Sequence, residues 1–402
     1  MTAELKPPAD LTIPAPGSTT AREVLSLAMR RLLVELGRIA ARRVSPRLRG
    51  DHARFTALLR TLGRTGRGAL ASLVRRPTIG VLLRCLRDAE ARGLASEALL
   101  VELMATACLE LAAAGALPEP ITLELLPPRI VSLAARRVVE RPDGARRARF
   151  LSGQVVFERA EGPVVASLQP DPARFLAIVE GGPVLALADN NPISDFEAHP
   201  DKQGNQLDLG GQPAAAWRAS LADTLARIEA HMPELRAEID LFIHQVIPVG
   251  YDERTHLSAS YLEDIGTVYM TLHPNAMTMT EAVIHEFSHN KINALFELDA
   301  VLENAFHPLY RSPVRPDPRP LHGVLLAVHA FLPVARLYER MIEDGAPGSE
   351  HPDFRRRYAQ IIGKNREGAA VLLEHARPTP IGAGVLEEIR RWDAHFASRS
   401  SI

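Results

Sequence analysis

The sequence predicts an α+β protein, mainly helical, in three parts: an N-terminal helical lobe, a central antiparallel β segment and a C-terminal helical metal-binding domain. Three observations carry this. Apolar residues recur at helical spacing through residues 21–115. Short alternating apolar segments bounded by Gly and Pro fill 121–190. Helical periodicity returns at 214 and dominates the last third. The expected boundaries are 1–19, a disordered lead; 20–120, a basic helical lobe; 121–190, a mostly β segment; and 191–402, the catalytic domain.

Pro7, Pro8, Pro14, Pro16 and Gly17 punctuate the lead. Ser18, Thr19 or Thr20 can cap a helix starting near Ala21, whose apolar stripe is Val24, Leu25, Leu27, Ala28, Leu32 and Leu36. Similar stripes occupy 52–73, 78–92 and 95–115. Ile121–Leu126, Ile130–Leu133, Gln154–Glu158, Val164–Leu168, Phe175–Val179 and Val184–Ala188 read as strands. No crossover periodicity separates them, which favours antiparallel pairing. Residues 190–213 form a long polar segment, a length that often goes with function. Within it, His199, Asp201 and Lys202 read as a network tying loop to core. Helix is expected over 214–240, strand over 242–249 and 266–272, then helix from about Thr280, capped by Thr278 or Thr280, and over 320–345, 351–375 and 384–398.

The chain is 46% apolar and 24% charged, an ordinary globular balance, and its net charge of -1 makes no electrostatic case for nucleic acid or a membrane surface. The charge is uneven. Residues 1–100 hold seventeen Arg and one Lys against eight acids, a local +10. Such a basic lobe suits an acidic partner, or an internal contact with the acidic remainder. Cys85 and Cys108 are the only cysteines, too few for a disulfide framework or a Cys-rich zinc site. Met1–Pro16 lacks a basic-then-apolar signal pattern, and no apolar run reaches the roughly 18 residues of a spanning helix, so a cytoplasmic protein is expected.

The chemistry concentrates at His285-Glu286-Phe287-Ser288-His289. Positions i and i+4 of a helix stack, so His285 and His289 can point two imidazoles at one divalent ion. Glu286, about 100° round the helix, reaches the edge of that site and in a metallohydrolase would be the general base. Val283, Ile284, Phe287, Ile292 and Leu295 would bury the helix. A third ligand is required. A histidine six residues after His289 would mark one zinc-protease class, but Leu295 stands there. A following carboxylate is another arrangement, with Glu297 and Glu303 as candidates. In the apolar helix after Pro320, His322 and His329 share one face, and His329 is the foremost candidate. A histidine in such a stripe is also an ordinary hydrogen-bonded core residue.

From Asn190 to about Arg340 the chain resembles the HExxH-type, α-ketoglutarate-dependent peptide β-hydroxylases of bacterial peptide natural-product pathways. The segments that carry the resemblance are Asn191-Pro, His199-Pro-Asp-Lys-Gln-Gly-Asn, Asp208-Leu-Gly-Gly and His256-Leu-Ser-Ala-Ser. They continue in His285-Glu-Phe-Ser-His-Asn-Lys-Ile-Asn-Ala-Leu, Ser312-Pro-Val-Arg-Pro-Asp-Pro-Arg-Pro-Leu and the histidine-bearing apolar helix. The resemblance implies Fe(II) on the two histidines and a third group, α-ketoglutarate and O2 as co-substrates, and hydroxylation of a side-chain β-carbon in a ribosomally made precursor peptide. Glu286 would then orient a ligand or contact substrate. The dicarboxylate requires a cation, for which Arg315 and Arg319 on the proline-stiffened segment are first candidates and Lys291 a second. His256, Ser258 and Ser260 would line the pocket, and an acidic leader peptide would dock on the basic lobe. The competing expectation is a zinc metallopeptidase with Glu286 as base.

Overall fold

A computed structural model describes residues 5–195, 204–311 and 317–399. Five helices come first: α1 (Thr20–Arg38), α2 (Arg49–Thr65), α3 (Arg67–Val74), α4 (Pro77–Ala91) and α5 (Glu97–Ala113). Eight short strands follow: β1 (Ile121–Leu123), β2 (Arg129–Ser132), β3 (Arg137–Glu140), β4 (Arg147–Leu151), β5 (Gln154–Glu158), β6 (Val164–Ala166), β7 (Phe175–Ala177) and β8 (Val184–Ala186). Then come α6 (Ala214–His231), α7 (Pro233–Phe242), β9 (Gln245–Tyr251), β10 (Ser258–Ala259), β11 (Thr267–Leu272) and α8 (Ala276–Phe296). A small hairpin of β12 (Leu309–Tyr310) and β13 (Arg319–Pro320) leads into α9 (Leu321–Glu343), α10 (Pro352–His375) and α11 (Pro380–Arg399). The protein is α+β and mainly helical, as its periodicity requires.

The strands form two main sheets. One is antiparallel in the order β1-β4-β5-β6, with β2 and β3 a separate hairpin. The other is mixed, in the order β10-β11-β9-β8-β7: β8, β9 and β11 run parallel and both edge strands antiparallel. Every pairing between two strands of 121–190 is therefore antiparallel, β7 with β8 included. The parallel pairing of β8 is with β9, which lies beyond α6 and α7, outside the stretch whose periodicity argued against crossovers. Strand β9 also starts later than its apolar run, because Phe242 closes α7 and the Ile243 amide donates back to Ile239 O.

Neither 120 nor 190 separates two cores. Leu103, Cys108 and Leu109 of α5 pack in one cluster with Ile121, Phe150, Val155 and Phe157 of the first sheet. Leu185 of β8 joins the cluster of α6, α8 and α9. Residues 5–19 are not a loose lead either. Leu11, Thr12 and Ile13 are buried in that second cluster beside α1 and α11.

The basic lobe answers its own charge across the core. Arg84 and Arg87 pair with Glu297, while Arg31 and Arg75 donate to the carbonyls of Glu297 and Leu241. Helix α9 is long and apolar enough to cross a membrane, yet 72% of its apolar window is buried inside the protein. It packs against α8 and α10 as a core helix.

Candidate metal centre

Helix α8 starts one turn before its expected cap. Asn275 is the N-cap, its side chain accepting from the Met277 and Thr278 amides at 2.9 and 3.0 Å. Thr280 instead donates its hydroxyl to Ala276 O. The helix is then fastened to the mixed sheet by Asn290, a role that the spacing of the motif does not announce. Its Oδ1 accepts from Gly266 N at 2.6 Å, and its amide donates to Ser260 Oγ and Thr267 O. An asparagine immediately after the second motif histidine is the signal that was available.

On this fixed helix the Nε2 atoms of His285 and His289 lie 2.9 Å apart, with ring planes at 86°. The Nδ1 atoms of both are buried without a hydrogen-bond partner. Desolvation pulls both pKa values down, for His285 well down with the nearby His289 and His256 adding to it. Both rings are therefore neutral at pH 7, the form that binds metal. Glu286 is 2% exposed. Its Oε1 accepts from Ser258 Oγ at 2.6 Å, and its Oε2 is buried with no partner. Ligand atoms of His285, Glu286 and His289 all lie within 4.8 Å of one another.

These residues fit an ion. Metal–imidazole bonds of about 2.0–2.1 Å bring two ligand nitrogens to about 3 Å of each other. The observed separation suits a shared cation as well as a direct N–H···N bond. A buried carboxylate oxygen with no donor is costly, and a cation beside it would satisfy it. Two neutral imidazoles and one carboxylate are a donor set used for both Fe(II) and Zn(II).

The other expected site residues divide. Ser258 and Ser260 do reach the motif: Ser258 holds the Glu286 carboxylate and Ser260 donates to the Glu286 carbonyl at 3.2 Å. His256 packs 6.5 Å from the His273 ring and lies close enough to His285 to depress its pKa. His329 is not within the group of ligand atoms formed by His285, Glu286 and His289, although its Nε2 is buried without a hydrogen-bond partner and, after burial and Lys291, His289 is among the causes that lower its pKa. Its Nδ1 is 3.0 Å from the Thr12 hydroxyl, in a buried polar cluster beside Lys291. Lys291 is fully buried, paired to Glu238 at 2.7 Å and set over the Phe287 ring, so it offers no cation to a co-substrate. Glu297 is occupied by Arg84 and Arg87, and Glu303 is exposed. Arg319 pairs with Asp317 at 2.8 Å, its aliphatic stem over the first turn of α9 at Gly323. Arg315, His199, Asp201 and Lys202 lie outside the described residues.

Helix α9 crosses α8 antiparallel: Tyr338 donates to Glu281, Phe331 lies 4.8 Å from the His285 ring, and His322 lies 4.7 Å from Phe296. Phe296 is seven residues past His289 and so on the same face of α8 as the histidine pair. His322 therefore lies over the same face of α8 as the histidine pair, about two turns beyond His289 along the helix. His322 and His329 share a face of α9, but two turns, roughly 10 Å of rise, separate them along its axis. Burial lowers the pKa of each, with His289 among the charges that add to it, and neither offers an atom to the group formed by His285, Glu286 and His289. Phe306, 62% exposed, stacks 5.3 Å from His322 at the outer rim. No family model matches the chain, and no curated protein is similar to it.

Proposed function

We propose that this chain is a mononuclear metal enzyme, an Fe(II)/α-ketoglutarate-dependent dioxygenase that hydroxylates a β-carbon in a precursor peptide. The observation that carries the metal reading is the His285–His289 pair beside a buried carboxylate oxygen that lacks a donor. The resemblance in the surrounding segments carries the choice of iron and of co-substrate. His285 and His289 would hold the ion, with Glu286 or His322 as the third group. Fe(II) with α-ketoglutarate and O2 supplies the oxidising power that an unactivated carbon demands. Phe331 and Phe296 screen the histidine face from water. Ser258 fixes the Glu286 carboxylate in one rotamer. Of the two candidate arginines, Arg319 is the one within the described residues, and it would take the co-substrate carboxylate. Its partner Asp317 is half exposed, so a substrate carboxylate can replace that ion pair at little cost. An acidic leader would find the exposed arginines of the N-terminal lobe, those not already spent on Glu297 and Leu241.

A second reading, a zinc metallopeptidase, is favoured by the same Glu286 oxygen: a carboxylate within 4.8 Å of both histidines is placed as a general base would be. One assay separates the two. Purified protein is loaded anaerobically with Fe(II) and α-ketoglutarate, exposed to O2, and succinate is measured. The dioxygenase gives succinate that depends on iron, is lost in His289→Ala, and needs more α-ketoglutarate in Arg319→Ala. Zinc-dependent peptide cleavage without succinate would mean the peptidase.

A further inference from the structure

The N-terminal segment is held the way a peptide ligand is held, through its main chain. Glu388 of α11, buried in the core, accepts the Thr12 amide on both oxygens at 3.0 and 2.9 Å and the Ile13 amide at 3.0 Å. Lys291 of α8 donates to the Thr12 carbonyl at 3.3 Å, and Arg391 of α11 to the Ala9 carbonyl at 2.6 Å. At Gly384 a Cβ would sit 2.5 Å from Pro8 O, so only glycine lets the segment lie that close to α11. Main-chain recognition by a carboxylate, an ammonium and a guanidinium is largely independent of sequence. Leu11 and Ile13 add apolar anchors, and the fixed φ of Pro7, Pro8 and Pro14 leaves less entropy to lose on either side of the bends at 9–13.

One polar side-chain contact of the segment leads back to the metal helix. The Thr12 hydroxyl meets His329, whose ring lies against the main chain of Ser288, and the Thr12 carbonyl meets Lys291. Ser288 and Lys291 flank His289 on α8. A single buried residue of the segment thus touches α8, α9 and α11 together.

We infer that the groove bounded by α1, α8, α9 and α11 is a recognition site for a peptide in this bent conformation, filled in cis by residues 7–13, and that its filling tightens metal binding at His285 and His289. The second clause rests on the metal reading above; the first does not.

The test uses the full chain with a protease site placed at the exposed Ala15–Gly17 turn and cut after folding. The severed segment is expected to co-elute with the body and to exchange with a fluorescent synthetic peptide of residues 5–16. Stripping it should weaken Zn(II) binding about fivefold or more, with recovery on adding the peptide. A segment that dissociates freely while the labelled peptide fails to bind overturns the groove. Peptide exchange with unchanged zinc affinity overturns the coupling. Should the cut protein unfold, Thr12→Val in the intact chain keeps the volume and removes the His329 contact. It is expected to lower zinc affinity at an unchanged zinc stoichiometry, and wild-type affinity in that variant overturns the coupling. If wild-type protein binds no zinc or iron, the metal reading falls with the coupling, while peptide exchange still decides the groove.

Discussion

On the proposed metal reading, His285→Ala and His289→Ala are each expected to lose ion binding, and with it any turnover, while the protein stays folded. Loss of an outer partner of a metal ligand weakens binding by about 10–100-fold. Loss of one of two paired imidazoles should exceed that, because the chelate becomes a single nitrogen. The fold survives for reasons on the same helix: α8 keeps its Asn275 cap and its Asn290 bonds to Gly266, Ser260 and Thr267. Thermal melts should therefore shift little while metal analysis falls to background. The two α9 histidines sharpen the test. His322→Ala should weaken ion binding where that ring supplies the third group, since it lies over the same face of α8 as the histidine pair. His329→Ala should leave the stoichiometry intact and lower stability by about 1–3 kcal/mol, since it strips a buried partner from Thr12. Stoichiometric metal in both His285→Ala and His289→Ala would remove the centre altogether.

What was legible in the sequence follows from the range of the interactions. The histidine pair is an i, i+4 relation within one helix, so spacing alone finds it. The helical lobe and the short strands are likewise local patterns. The choice between His322 and His329 depends on how far α9 slides along α8, which no periodicity in either helix records. The N-terminal lead looked disordered because four prolines and a glycine break every period. Leu11-Thr12-Ile13, two β-branched residues beside a leucine, was the counter-signal. Its partners Glu388 and His329 stand more than 300 positions away. Asn275 is masked as a cap by Thr278 and Thr280, two further capping residues within the next five positions. The charge asymmetry was legible as a fact but not as an address: of its two readings, internal contact and external partner, the first accounts for Arg31, Arg75, Arg84 and Arg87.

That internal contact carries the largest stability prediction. Arg84 is 1% exposed and donates from Nε to Glu297 Oε1 at 3.0 Å and from Nη1 to Glu263 O at 3.2 Å; Arg87 reaches Glu297 Oε2 at 3.1 Å. Burial works against ionised Glu297, yet the two guanidiniums hold its carboxyl below the usual range. Glu297→Ala leaves Arg84 charged in the core with one carbonyl for company. Removing one partner of such a pair costs about 3–5 kcal/mol, and being buried it should cost nearly as much in 1 M salt. Arg84→Met with Glu297→Leu together should recover most of the loss, because no charge is then stranded. Glu297 also caps the C-terminal end of α8, eight residues past His289. The single variant should therefore loosen the metal helix as well as the lobe contact, and bind the ion more weakly than the double variant. A loss below about 1 kcal/mol in urea titration would mean that water reaches Arg84 when its partner goes, and that the lobes are joined by their apolar contacts rather than by this ion pair.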